Sequence, residues 1–136
     1  MKNYFTLLGI ILLGSALRLA KLDSKPLWAD EIFTAIFSLG ESFDNIPLNS
    51  IISLSQIPFL FALEPDASCG EIARNLAVQS THPPLFFCLM HEGLVGLSVF
   101  DFPLAWQLRI LPALFGIATI AAIYLLNRLA FSPAAG

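Results

Sequence analysis

The sequence predicts an all-α integral membrane protein with three membrane-spanning helices and one large loop that carries short amphipathic helices. Three observations predict it. Of the 136 residues, 57% are hydrophobic and only 12% charged, with a mean hydropathy of +0.77, where a soluble domain carries about 25% charged residues. Three apolar segments, Tyr4 to Leu22, Pro83 to Phe100 and Ile110 to Leu126, approach or reach the roughly 17–20 residues that a spanning helix requires. Between the first two lie roughly 60 residues, too long for a simple connection in a compact fold.

The first span is expected over about residues 4–22. Tyr4 to Leu17 is uncharged, and the run reaches spanning length if Arg18 carries its charge out to the interface. Lys2, an apolar core and Gly14-Ser15-Ala16 also fit a cleaved signal peptide; the apolar character that continues beyond Ala16 speaks against it. In the loop, about residues 23–81, Ile32, Phe33, Ile36, Phe37 and Leu39 have the spacing of a short helix with one apolar face, suited to a membrane surface. Gly40 stops it. Ile51 to Leu63 is apolar but contains Pro58, and reads as interfacial or packed rather than spanning. Ser68-Cys69-Gly70-Glu71 fits a capping box that starts a helix to about Ser80. The second span, about residues 83–100, is expected to be capped by Thr81 or His82, with Pro83 in its first position. The third, about residues 108–131, is flanked by Arg109 and Arg128, with Pro112 in its first turn. There is no internal repeat, low-complexity tract or phosphate-binding glycine loop.

The net charge of -3 gives no reason to expect nucleic acid as a partner. Cys69 stands in a polar stretch and Cys88 in an apolar one, so no mutual bridge is expected and the redox compartment is not legible. Arg18, Lys21 and Lys25 follow the first span while Lys2 precedes it, so a positive-inside count places the N-terminus outside; the rule weakens for long loops.

Several residues carry possible chemistry. Trp28 suits an interfacial anchor. Asp30-Glu31 offers a general base for an acceptor hydroxyl, or a solvated acidic pair that favours a helix dipole. Neighbouring residues point about 100° apart on a helix, so the two carboxylates do not share one role. His82, ahead of two prolines, fits a phosphate or acceptor contact, or a plain cap. His91 and Glu92 fall inside an apolar segment, where ionisable groups are functional candidates; a boundary position or a satisfied pair is the bland account. Arg109 fits a lipid-phosphate contact or a boundary marker. The 12 phenylalanines read as lipid-facing and packing surface rather than a cofactor box.

Taken in order, Ala16-Leu17-Arg18-Leu19, Leu27-Trp28-Ala29-Asp30-Glu31, His82-Pro83-Pro84-Leu85-Phe86-Phe87 with His91, and Arg109-Ile110-Leu111-Pro112-Ala113-Leu114-Phe115-Gly116 continuing to Tyr124-Leu125-Leu126-Asn127-Arg128 resemble the N-terminal region of GT-C glycosyltransferases. The nearest groups are the protein O-mannosyltransferases and aminoarabinose transferases. The resemblance implies a multi-pass protein of the plasma (inner) membrane, with the N-terminus in the cytoplasm and the loop on the external side. It implies a polyprenyl-phosphate-linked sugar as donor, inverting transfer to an acceptor hydroxyl, and the bilayer as partner; the acceptor itself is not specified. It casts Asp30 as the catalytic base, with Glu31 in support and His82, Trp28, His91 and Arg109 around the substrates. No cofactor is implied, and no residues have metal-ligand spacing. Two departures stand out. Pro47 to Gly70 reads as an insertion, and Phe131-Ser132-Pro133-Ala134-Ala135-Gly136 ends where such enzymes run on, so the chain is expected to be an N-terminal fragment. A small non-catalytic membrane subunit, and a transporter piece using His91-Glu92, are the rival readings.

Overall fold

The computed structural model describes residues 2–47 and 50–131. Leu48 and Asn49 of the inserted stretch, and residues 132–136 of the expected truncation point, lie outside them. Five α-helices follow in order: α1 (Lys2–Leu19), α2 (Ala29–Ser38), α3 (Cys69–Gln79), α4 (Pro84–Leu97) and α5 (Leu104–Ala130). Two 3-10 segments, Phe43–Asn45 and Leu54–Phe61, lie between α2 and α3. No strand occurs among the described residues, so the all-α class holds. The chain divides into two compact units, Met1–Lys25 with Arg109–Gly136, and Pro26–Leu108.

The first unit is an antiparallel pair of apolar helices. Its partners run in opposite chain order: Tyr4 meets Arg128, Gly14 meets Ile120 and Arg18 meets Gly116. Arg128 Nη1 donates to the Tyr4 hydroxyl at 2.5 Å, with its guanidinium 5.3 Å from the ring centroid. A Cβ on Gly14 would stand 2.6 Å from Ile120 Cδ1, and one on Gly116 2.8 Å from Arg18 Nε. Small residues at such points let apolar helices approach closely. At the far end, Arg109 Nη1 donates to the carbonyls of Leu22 (2.6 Å) and Lys25 (2.9 Å). The point where the chain leaves this unit is thereby bonded to the point where it returns. Arg109 and Arg128 are separated along α5 by about 29 Å at 1.5 Å per residue, which matches a hydrocarbon core of about 30 Å.

The boundaries depart from expectation for local reasons. α1 ends at Leu19, short of residue 22, because Lys21 takes a left-handed φ of 57°. α5 begins at Leu104, four residues before the expected start. The Pro103 carbonyl accepts from Trp106 and Gln107 N–H and opens the helix there, while Gln107 Nε2 closes on Phe102 O at 2.7 Å. Pro112 consequently lies inside α5 rather than in its first turn.

The second unit packs α2, α3 and α4 together. Its core joins Phe37, Ile72, Leu76, Phe87 and Cys88, with Phe43 and Phe86 packed against it. Glu31 Oε2 accepts from the Trp28 N–H at 3.2 Å and closes the start of α2. At the other end, Glu41 N–H reaches Ile36 O and Gly40 N–H reaches Phe37 O, the double bond pattern of a Schellman end. Gly40 has φ 92°, as that pattern requires. α3 starts on the expected capping box: the Ser68 hydroxyl accepts from Glu71 N–H, and Glu71 Oε2 accepts from Ser68 N–H. α4 starts at Pro84, with Pro83 rather than Thr81 or His82 preceding it, because a proline ring pre-sets the first helical φ.

The expectation of no mutual bridge is overturned: Cys69 and Cys88 form a disulfide, with Cα atoms 5.2 Å apart. The first residue of α3 rests beside the second turn of α4, and the polar or apolar character of the surrounding stretches does not decide which face of a helix a side chain takes.

Among the described residues one helix, Leu104–Ala130, is long and apolar enough to cross a membrane; Tyr4–Leu19 and Pro84–Leu97 are shorter apolar helices. The 14 residues of α4 make about 21 Å at 1.5 Å each. Phe87, Cys88, Met90, His91 and Leu94 of α4 are buried within the protein.

Candidate functional site

Four residues of α2 lie on one helical face: Asp30, Phe33, Thr34 and Phe37, at the i, i+3, i+4, i+7 spacing of neighbouring positions. They form one wall of a cavity of about 740 Å³. Phe43 adds a second side, and Leu85, Phe86 and Phe87 of the first turn of α4 a third. Gln79, Ser80, His82 and Pro83, at the junction of α3 and α4, close the set.

The aromatic walls are held edge to face. Phe37 stands 5.0 Å from Phe43 and 6.1 Å from Phe87, ring centre to ring centre, and Phe33 stands 5.5 Å from Phe43. These separations fall in the range that aromatic pairs prefer. Gln79 fixes the turn that carries Phe43: its Oε1 accepts from Phe43 N–H at 2.9 Å, and its Nε2 donates to Asp44 Oδ2 at 2.7 Å. The Pro-Pro start of α4 orients its Phe pair, and His82 lies edge-on to Phe87 at 6.1 Å.

The polar groups sit at the ends of these walls. The Thr34 hydroxyl donates to the backbone carbonyl of Asp30 at 2.9 Å. Among the described residues the Asp30 carboxylate itself has no partner. His82 Nδ1 lies 2.7 Å from Ser80 Oγ, which also accepts from the His82 N–H at 3.4 Å. Both Asp30 and His82 are exposed, so the cavity opens to its surroundings there.

The structure therefore separates the candidates. It brings Asp30 and His82, 52 positions apart, to one cavity. Glu31 closes the start of α2 instead, and Trp28, 64% exposed, is the residue before that helix; neither lines the cavity. His91 is 2% exposed, and its Nδ1 donates to the Ser38 carbonyl at 2.9 Å. A carbonyl can only accept, so the proton is on Nδ1. With Glu64 N–H on Leu39 O, this bond serves carbonyls that the Schellman end of α2 leaves over. Arg109 belongs to the helical-pair unit and holds Leu22 and Lys25. The aromatic wall is what the sequence reading missed. Phe33, Phe37, Phe43, Phe86 and Phe87 are packing residues, as expected, but they also enclose a cavity. The signal available was the single face of α2, which carries Asp30 and two of them.

Charge is sharply divided between the units. The 26–108 unit holds nine of the ten carboxylates and, in Arg74, one of the seven Lys and Arg residues. Glu71 is held below its ordinary carboxylate value by the bond from Ser68 N–H, and secondarily by the Ser68 hydroxyl.

No protein-family model, no curated protein and no solved structure matches the chain.

Proposed function

We propose that this chain is the N-terminal part of a membrane glycosyltransferase of the GT-C type, moving a sugar from a polyprenyl-phosphate donor to an acceptor hydroxyl. The observation that supports this most is the convergence of Asp30 and His82 on one apolar-walled cavity. In this scheme the Asp30 carboxylate accepts the acceptor's hydroxyl proton as its oxygen bonds to the sugar's anomeric carbon. The bond from that carbon to the phosphate oxygen breaks on the opposite side, and polyprenyl phosphate leaves with the electron pair. Configuration inverts. His82 sits where it can orient the acceptor, and the aromatic walls hold its apolar body.

Two spans, α1 and α5, suit this role better than three, since α4 is committed to the core of the 26–108 unit. Their shared end ties Leu22 and Lys25 to Arg109, so the loop leaves and returns on one side of the membrane. The disulfide supports an oxidising, external compartment for that loop. The positive-inside count opposes it. The disulfide carries more weight, because the rule is weak across a loop this long.

The test is sugar transfer in proteoliposomes from a polyprenyl-phosphate-linked donor, using the whole protein that the gene encodes. Asp30→Asn is expected to lower turnover by about 10²–10⁴-fold with the fold intact. Full activity in that variant would remove Asp30 as the base. Absence of transfer by the wild type across sugar donors would favour the non-catalytic membrane subunit, with the cavity as a binding site alone.

A further inference from the structure

We infer that the cavity between α2 and α4 takes an amphiphile with an apolar body and a neutral or cationic hydrogen-bond-donor head, and excludes anionic heads, lipid phosphate included. This deepens the transfer reading and rests on it in one respect: it assigns the cavity to the acceptor and leaves the phosphate of the donor to another part of the protein.

The cavity's walls are apolar, formed chiefly by Phe33, Phe37, Phe43, Leu85, Phe86 and Phe87. Such walls suit a chain or ring rather than a hydrated ion. Its lining carboxylate is that of Asp30, which has no partner among the described residues, while the His82 ring, also in the lining, is held at Nδ1 by Ser80 Oγ at 2.7 Å and offers one further nitrogen. An ionised carboxylate is an acceptor only, so it favours a hydroxyl or ammonium and repels a phosphate. No lysine or arginine lines the cavity. Phosphate sites are ordinarily built from such cations or from backbone N–H groups at a helix start. The start of α4 is a poor substitute, because Pro83 and Pro84 lack N–H groups there. The surrounding unit adds to the bias, with nine carboxylates against Arg74. The other six cations, Arg18 and Arg109 among them, belong to the helical pair.

The test uses the full chain in nanodiscs of a zwitterionic phosphatidylcholine. A diazirine-bearing decyl β-glucoside is photo-cross-linked and mapped by mass spectrometry, with unlabelled decyl β-glucoside, decylamine and decyl phosphate as competitors. Saturable labelling is expected within residues 30–43 and 79–87. The glucoside and the amine should displace the probe, and decyl phosphate should require at least about tenfold more, as expected for like charges a few ångströms apart. Asp30→Asn should bring phosphate and glucoside within about threefold of each other. Leu85→Trp, at a lining position 70% exposed, adds bulk to the cavity wall and should abolish labelling. Equal or better competition by decyl phosphate in the wild type, labelling confined to other segments, or labelling that survives Leu85→Trp overturns the inference. The wild-type competition order decides the matter even where Asp30→Asn does not fold. Charge-ordered binding without any sugar transfer leaves this inference standing and retires the transfer reading. Transfer by a protein whose cavity prefers decyl phosphate does the reverse.

Discussion

Asp30 and Glu31 are adjacent in the chain and do different things. The helical step between them turns one carboxylate toward the cavity and the other back onto the Trp28 N–H. Glu31→Gln keeps an acceptor for that N–H, so it is expected to retain most transfer activity under the assay that Asp30→Asn fails. A loss as large as that of Asp30→Asn would put Glu31 in the chemistry. His91 belongs to the architecture. Replacing it with Phe leaves the buried Ser38 carbonyl without a donor, which costs about 1–3 kcal/mol. Thermal unfolding should show that loss. His91→Asn, which still offers an N–H, should recover part of it. Unchanged stability in His91→Phe would reopen a functional role for this histidine.

At the scale of elements, helix ends govern where the site residues stand. α2 ends on Gly40, where φ is 92° and an added Cβ would lie 2.6 Å from Ala67 Cβ and 3.1 Å from Glu64 Cβ. Gly40→Ala is expected to destabilise the protein by more than about 1 kcal/mol, through left-handed strain and that crowding. Equilibrium unfolding of the variant checks it. α3 begins on its capping box, and Ser68→Ala should cost about 1 kcal/mol. Glu71 titrates with that box. Its folded value lies below the ordinary 4.5, so its stabilisation is complete above the unfolded value and is lost as pH falls through the lower folded one. Glu71→Gln should therefore lower stability at neutral pH and converge with the wild type as pH falls through the folded value, which flattens the acid side of the stability–pH curve. An unaltered acid limb would show that the cap contributes nothing there.

At the scale of the molecule, the Cys69–Cys88 bond ties α3 to α4, the two helices whose junction carries Gln79, Ser80 and His82. It closes a loop of 19 residues, for which chain entropy gives about 3 kcal/mol. Cys69→Ser with Cys88→Ser, or reduction in solution, should lower the melting temperature of the 26–108 unit by about 10 °C or more. The same pair reports topology. In intact cells an oxidised bond, resistant to thiol labelling until reductant is added, is expected of a loop in an oxidising compartment. Two free, labelled thiols in folded protein would place that loop in a reducing one.

How much of this the chain spells out depends on whether the signal is local. Hydrophobic periodicity and composition give the all-α class and a helix at α5 long and apolar enough to cross a membrane, because hydrophobicity and length are summed over consecutive residues. The capping box at Ser68 and the stop at Gly40 were legible for the same reason: each is a short-range rule about backbone donors, acceptors and φ. Asp30 and His82 could be singled out as residue types, but nothing local says that they share a cavity. The structure decided that by packing α2 against α4, which also brought Phe43 and the Phe86–Phe87 pair to the same walls. It decided the fate of His91, whose partner carbonyl lies 53 residues away. It decided the disulfide, since the face that a cysteine takes on each helix is set by what that helix packs against. The sequence by itself determined the helices, the Ser68 and Gly40 helix ends and the separation of Asp30 from Glu31, which depend on neighbours in the chain; tertiary structure alone decided the cavity, the bridge and the burial of His91, which depend on neighbours in space.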